Sequence, residues 1–101
     1  MHVAVLGAGT MGHGIAQVSA MAGHQVQLRD IEAELVEEGL AAVESNLDGG
    51  IERDKLTEQQ KLETLDRLQG TTTLETAVAD ANVVIEAVPE DIEIKHQTLT
   101  D

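Results

Sequence analysis

The sequence has 101 residues, with 19 acidic against 6 basic side chains, a formal net charge of −13, no cysteine and no aromatic residue. That length allows one small domain, residues 1–101, with a core built from Val, Ile, Leu, Ala and Met. Disulfides and thiolate metal sites are excluded, which suits a reducing compartment, and the acidity argues against nucleic acid and anionic membranes as partners.

No apolar run approaches the ~20 residues of a membrane span. A strand already begins at His2 or Val3, leaving no room for a leader, so a cytoplasmic location is expected. Charge this far beyond the usual range of about 2–8 reads either as an ordinary acidic surface or as adaptation to a high-salt cytosol.

In chain order, His2 to Leu6 predicts a short buried strand, β-branched and bounded by Gly7. From Thr10 to Ala22 the spacing turns helical, with Met11, Ile15, Val18 and Ala22 on one face. Gly23 closes that helix as a left-handed C-terminal residue. Gln25 to Arg29 predicts a second strand, followed by Asp30. A long acidic helix comes next, with the stripe Ile31, Leu35, Val36, Leu40, Val43 and Leu47, broken at Gly49-Gly50.

A third helix starts near Thr57, where Thr57 and Gln60 match a capping box. Leu62, Leu65 and Leu68 form its buried face, Glu63 and Arg67 pair along it, and Gly70 ends it. Thr71 to Thr73 predicts a short third strand, and Leu74 to Ala79 one or two helical turns. Asn82 to Val88 predicts a buried strand ended by Pro89. Asp91 to Asp101 predicts a helix.

Strands alternating with helices imply a parallel sheet with right-handed crossovers. The expected fold is α/β, a Rossmann-type doubly wound parallel sheet truncated after about four strands of the order 3-2-1-4-5-6.

The segment "GAGTMG" (Gly7, Ala8, Gly9, Thr10, Met11, Gly12) matches G-x-G-x-x-G between a strand and a helix. Gly7 permits the sharp turn, Gly9 a close approach of pyrophosphate, and Gly12 tight packing of helix on strand. The phosphates would sit on the free N–H groups of the helix start. Gly14 adds a second close-packing position. A ligand-free strand–helix turn is the plainer alternative.

Eighteen residues after Gly12, Asp30 ends the second strand. A carboxylate there accepts hydrogen bonds from ribose hydroxyls and repels the extra phosphate of NADP, which favours NAD. Arg29 would suit NADP, but alternation points Arg29 and Asp30 to opposite sides. Asp30 could instead cap the next helix.

"VAVLGAGTMGHGIAQVSAMAGHQVQLRD" together with "ANVVIEAVPEDIEIKHQ" closely resembles the N-terminal NAD-binding domain of the L-3-hydroxyacyl-CoA dehydrogenases, over essentially the whole chain. The resemblance implies NAD as cofactor and an acyl-CoA as substrate of the complete enzyme. It implies cofactor contacts from Glu90 and Lys95, for which a helix start and an Asp91–Lys95 pair are the local alternatives. It also implies a homodimer when complete, in fatty-acid β-oxidation or butanoate-type metabolism.

The family's acyl-CoA region falls on the long helix. There Asn46 stands where members often have serine, and Arg53 or Lys55 where they have lysine, so a solvated helix end is the plainer reading. The family's His–Glu pair lies beyond the stretch present here, and none of His2, His13, His24 or His96 sits in the matching context. No catalytic or metal-binding residue is therefore expected, and the isolated chain should lack dehydrogenase activity. The other readings are a non-catalytic NAD-binding module and a related crystallin-like hydroxyacid or polyol dehydrogenase.

Overall fold

The apolar segments with β-branched residues become the strands of one sheet. The computed structural model describes residues 1–88 and the backbone of residues 91–96. The strands are β1 (His2–Leu6), β2 (Gln25–Arg29), β3 (Leu68–Thr71), β4 (Val83–Val88) and β5 (Asp91–His96). The helices are α1 (Thr10–Met21), α2 (Ala33–Glu52), α3 (Glu58–Asp66) and α4 (Leu74–Val78). The sheet order is β3-β2-β1-β4-β5. The β1–β2, β1–β4 and β2–β3 pairs are parallel, as the alternation of strands and helices predicts.

β5 departs from expectation. Asp91 onward was expected to be helical, but residues 91–96 run antiparallel to β4, with Val88 opposite Asp91 and Val83 opposite His96. The physical reason lies in "DIEIKH": Ile92 and Ile94 alternate with charged residues at period two, and both are β-branched. The helix expectation for residues 97–101 lies outside the described residues.

The core fills with small and branched side chains, and this corrects two stripes. On α1 the buried residues are Gly12, Ala16 and Ala20, while Met11 is 41% and Val18 66% exposed. Spacing of four along a helix puts those three small residues on one face, so α1 lies close against the sheet. A stripe chosen for bulk selects the wrong face. On α3 Leu62 is 66% exposed and Thr64, whose Oγ1 donates to Gln60 O at 2.8 Å, is buried instead, while Leu65 packs against the core and Leu68 is buried as expected.

α2 buries Val36, Gly39, Val43 and Leu47, three of them on the expected stripe. Ile31, placed on that stripe, precedes the helix and is 76% exposed. Gly49-Gly50 does not break α2. Each glycine costs about 1 kcal/mol relative to alanine, but tertiary packing carries most helical stability, and Val43 and Leu47 anchor the preceding turns.

The helix ends instead in a Schellman motif. Lys55 N donates to Gly50 O at 2.9 Å and Asp54 N to Ile51 O at 3.0 Å, with Asp54 left-handed at φ 57°. Aspartate tolerates that conformation better than most residues do. Gly23, at φ 103°, follows α1 as expected.

The capping box of α3 is present as predicted: Gln60 N donates to Thr57 Oγ1 at 3.1 Å, and Thr57 N to Gln60 Oε1 at 2.9 Å. α3 ends at Asp66, earlier than Gly70, because Leu68 to Thr71 pair with β2 as β3. The third strand thus begins three residues before its expected start at Thr71. Arg67 does not close the expected pair with Glu63. Its Nη1 donates to Ala20 O near the end of α1, at 3.0 Å.

Lys61 joins α3 to α2 through Asp48 at 2.6 Å and Glu44 at 3.7 Å. The hydrogen bond that Lys61 donates to Asp48, reinforced by the surrounding carboxylates, raises the Lys61 ammonium above the ordinary lysine range against some desolvation. Among the described residues, no helix is long and apolar enough to cross a membrane.

Candidate functional site

The order 3-2-1-4 reverses direction between β1 and β4, and ligands of such sheets bind beyond the carboxyl ends of the strands at that point. The turn from β1 into α1 sits there. Gly7 carries φ 110°, and a Cβ on it would lie 2.5 Å from Ala87 O of β4. Gly12 faces back across the turn, and a Cβ there would coincide with the Gly7 carbonyl. These two glycines let the turn close, one over the end of β4 and the other under the helix.

Gly9 is different. It is the N-cap of α1, with extended backbone and no side-chain cap hydrogen bond, and a Cβ on it would meet nothing within 4 Å. The space above Gly9 is open, and the first N–H groups of α1 face it without a capping side chain. That arrangement fits a pyrophosphate. Thr10 and Met11 form the first turn of α1. Gly14, expected as a close-packing position, also has nothing within 4 Å of a Cβ, so it does not serve that purpose.

Asp30 sits at the end of β2 and reaches the same turn. Its Oδ2 accepts from Ala8 N at 2.9 Å and its Oδ1 from Ile31 N at 2.7 Å. The N-cap of α2 is Glu32, so Asp30 is not that helix's cap. Ala8 N–H is directed at Asp30, and Gly7 N donates to Arg29 O at 2.7 Å. The Arg29 side chain turns the other way and donates Nε to Thr72 O at 3.1 Å, as strand alternation predicts.

Two contacts at the turn escaped the reading of the sequence. Gly39 of α2 packs on it: a Cβ there would lie 3.0 Å from Ala8 O and 3.1 Å from Ala8 Cβ. No signal in the sequence marked the Gly39 contact, because its burial appears only in the fold. His13 Nδ1–H donates to Gly9 O at 2.9 Å, one helical turn back. Beside these residues runs an open groove of about 240 Å³ between Gly9 and His13 on one side and Leu35, Glu38 and Ala42 on the other. A second cavity, of about 190 Å³, opens among His2, Gln25, Thr76 and Asp80 at the amino ends of the strands, away from the glycine turn.

Of the last expected contacts, only the backbone position of Lys95 is described, and it lies away from the turn. Lys95 pairs with Val84, level with Ala4 in the middle of β1, and β4 separates it from β1. Glu90 lies outside the described residues. Asn46, in the expected acyl-CoA region, donates Nδ2 to Gln17 Oε1 at 3.0 Å and so links α2 to α1. No group of three metal-ligating side chains occurs among the described residues.

A parallel sheet of this order, a glycine turn at its reversal point and an acidic residue closing the second strand define a dinucleotide-binding fold. The family model for the NAD binding domain of 3-hydroxyacyl-CoA dehydrogenase matches residues 2–101, and the chain belongs to that family, whose cofactor is NAD.

The chain is 45% identical over 93 residues to 3-hydroxyadipyl-CoA dehydrogenase of Escherichia coli, covering 92% of this chain and 19% of that protein. It is 38% identical over 95 residues to 3-hydroxybutyryl-CoA dehydrogenase of Bradyrhizobium diazoefficiens, covering 94% and 32%. The crystal structure of (S)-3-hydroxybutyryl-CoA dehydrogenase from Ralstonia eutropha superposes with a TM-score of 0.83 at 43% identity, over 89% of this chain and 31% of that one. The chain thus spans a third or less of these relatives.

Proposed function

We propose that this chain is the NAD-binding part of an enzyme that oxidises 3-hydroxyacyl-CoA to 3-oxoacyl-CoA, in fatty-acid β-oxidation or butanoate-type metabolism. The observation that carries the reading is the meeting of Asp30 with the glycine turn, 22 residues apart in sequence and joined at 2.9 Å. In this reading the turn from Gly7 to Gly12 receives the pyrophosphate, and Asp30 accepts from the adenosine ribose. Glu90, in the segment after β4, is read as a further cofactor contact. The bound NAD supplies the hydride acceptor. The chain's own residues bind and orient it, and the proton chemistry belongs to residues outside this stretch. The complete protein is a homodimer located in the cytoplasm.

NAD is expected to bind about a hundredfold more tightly than NADP. Like charges about 4 Å apart repel by about 4 kcal/mol at an effective dielectric near 20, and solvent screening removes part of that. Arg29, held on Thr72 O, is not turned toward the Asp30 side to offset the extra phosphate. Calorimetric titration of both dinucleotides checks this, and equal affinities would remove Asp30 from the ribose role.

The acidity is read as adaptation to a high-salt cytosol. Five carboxylates lie between Asp30 and Glu38, and Glu32, Glu34, Glu37 and Glu38 are exposed. At low salt their repulsion extends about 10 Å, and at molar salt about 3 Å. The melting temperature should therefore rise steeply between about 0.05 and about 3 M KCl. Salting-out acts in the same direction, so sulfate is compared with chloride at matched ionic strength. A flat melting temperature would make the acidity incidental.

A further inference from the structure

We infer that Asp30 is a positioning residue for the phosphate turn as well as a ribose acceptor, its carboxylate holding the turn in shape through Ala8 N–H before any ligand arrives. The inference rests on the reading of the turn as the pyrophosphate site. Ala8 is buried, and its peptide is gripped from two directions. Asp30 Oδ2 takes its N–H at 2.9 Å, and Gly39 of α2 packs behind its carbonyl and methyl group closely enough that a Cβ there would come within 3.0–3.1 Å of them. The other oxygen, Oδ1, is tied to Ile31 N at 2.7 Å, so the carboxylate bridges the backbone after β2 to the backbone after β1.

A carboxylate has about four acceptor positions. Two backbone donors leave capacity for ribose hydroxyls, so both roles fit one group. Ala8 therefore acts indirectly: its N–H is spent on Asp30, and the ligand-facing donors are those that follow Gly9. A phosphate on the ribose that displaced Asp30 would also release Ala8, so rejection of NADP would reach the pyrophosphate site through the turn.

The test separates the two roles with an NAD analogue whose adenosine ribose lacks both hydroxyls. With that ligand the ribose contact is gone, yet D30A is expected to weaken binding by about tenfold, the loss of one hydrogen bond to a charged group. In the ligand-free 15N-labelled chain, the Ala8 amide proton of D30A and D30N should shift upfield and exchange at least about tenfold faster. The capped amide of Gln60 should stay unchanged.

D30N keeps one acceptor oxygen, so it should fall between the wild type and D30A. It also serves if D30A does not fold. An unmoved Ala8 amide, or equal binding of the analogue by wild type and D30A, would overturn the inference. Failure of the wild type to bind NAD would sink the proposed function instead, and the Ala8 amide would still decide whether the turn is held by Asp30.

Discussion

Gly9→Val is expected to leave the chain folded and to weaken NAD binding by at least about a hundredfold. The two halves of that result have different causes. Gly9 has φ −66° and ψ −165°, a conformation open to any residue, and nothing lies within 4 Å of a Cβ placed there. The cost to the fold is confined to a poorer N-cap, about 1 kcal/mol. The isopropyl group would occupy the space into which the first N–H groups of α1 point. A pyrophosphate kept out of that space loses charge-assisted hydrogen bonds worth about 1.5–3 kcal/mol each, and two of them amount to two or more orders of magnitude in affinity. Thermal melting in the absence of NAD checks the fold, and titration checks the affinity. A variant that binds NAD like the wild type would show that the open space above Gly9 is not the ligand's.

Gly12→Ala should do the opposite. A methyl group there would overlap the Gly7 carbonyl, and because that group is backbone it cannot simply swing aside. Overpacking of a rigid contact costs about 1–3 kcal/mol, occasionally more, and the overlap at Gly12 places this variant at or above the upper end. For a chain of this size about 3 kcal/mol corresponds to a fall in melting temperature of at least about 12 °C. Gly14→Ala is the control on the same helix. With open space around it, alanine should be neutral or stabilise by up to about 1 kcal/mol. Urea melts of the two variants check both signs. Equal destabilisation would mean that Gly12 is not the closing contact of the turn.

The sequence alone determined those features in which residue type and spacing act locally. An apolar run bounded by Gly7 marks β1, alternation marks β2 and an apolar run ended by Pro89 marks β4, and their alternation with helices implies the parallel order found for β1 to β4. The capping box at Thr57 and Gln60 and the left-handed Gly23 need only their neighbours to form, and both are present. The glycine turn and Asp30 were recognisable because their spacing suits a ligand that needs close backbone approach and an acceptor one strand away.

Tertiary structure decided which face of each helix is buried, because burial depends on how closely the partner approaches. Against the sheet, α1 turns Gly12, Ala16 and Ala20 inward and leaves Val18 outside, since small residues permit the shortest separation. The same logic keeps α2 running through Gly49-Gly50, where packing upstream outweighs weak local propensity. It also draws Leu68 to Thr71 out of α3 and into β3, where backbone hydrogen bonds to β2 are available.

The hydrogen bond from Ala8 to Asp30 and the packing of Gly39 on Ala8 belong to this second group. Each joins residues more than 20 positions apart through a contact of about 3 Å. Contacts of that kind exist only after the sheet has brought the ends of β1 and β2 side by side. No local pattern of residue types encodes them.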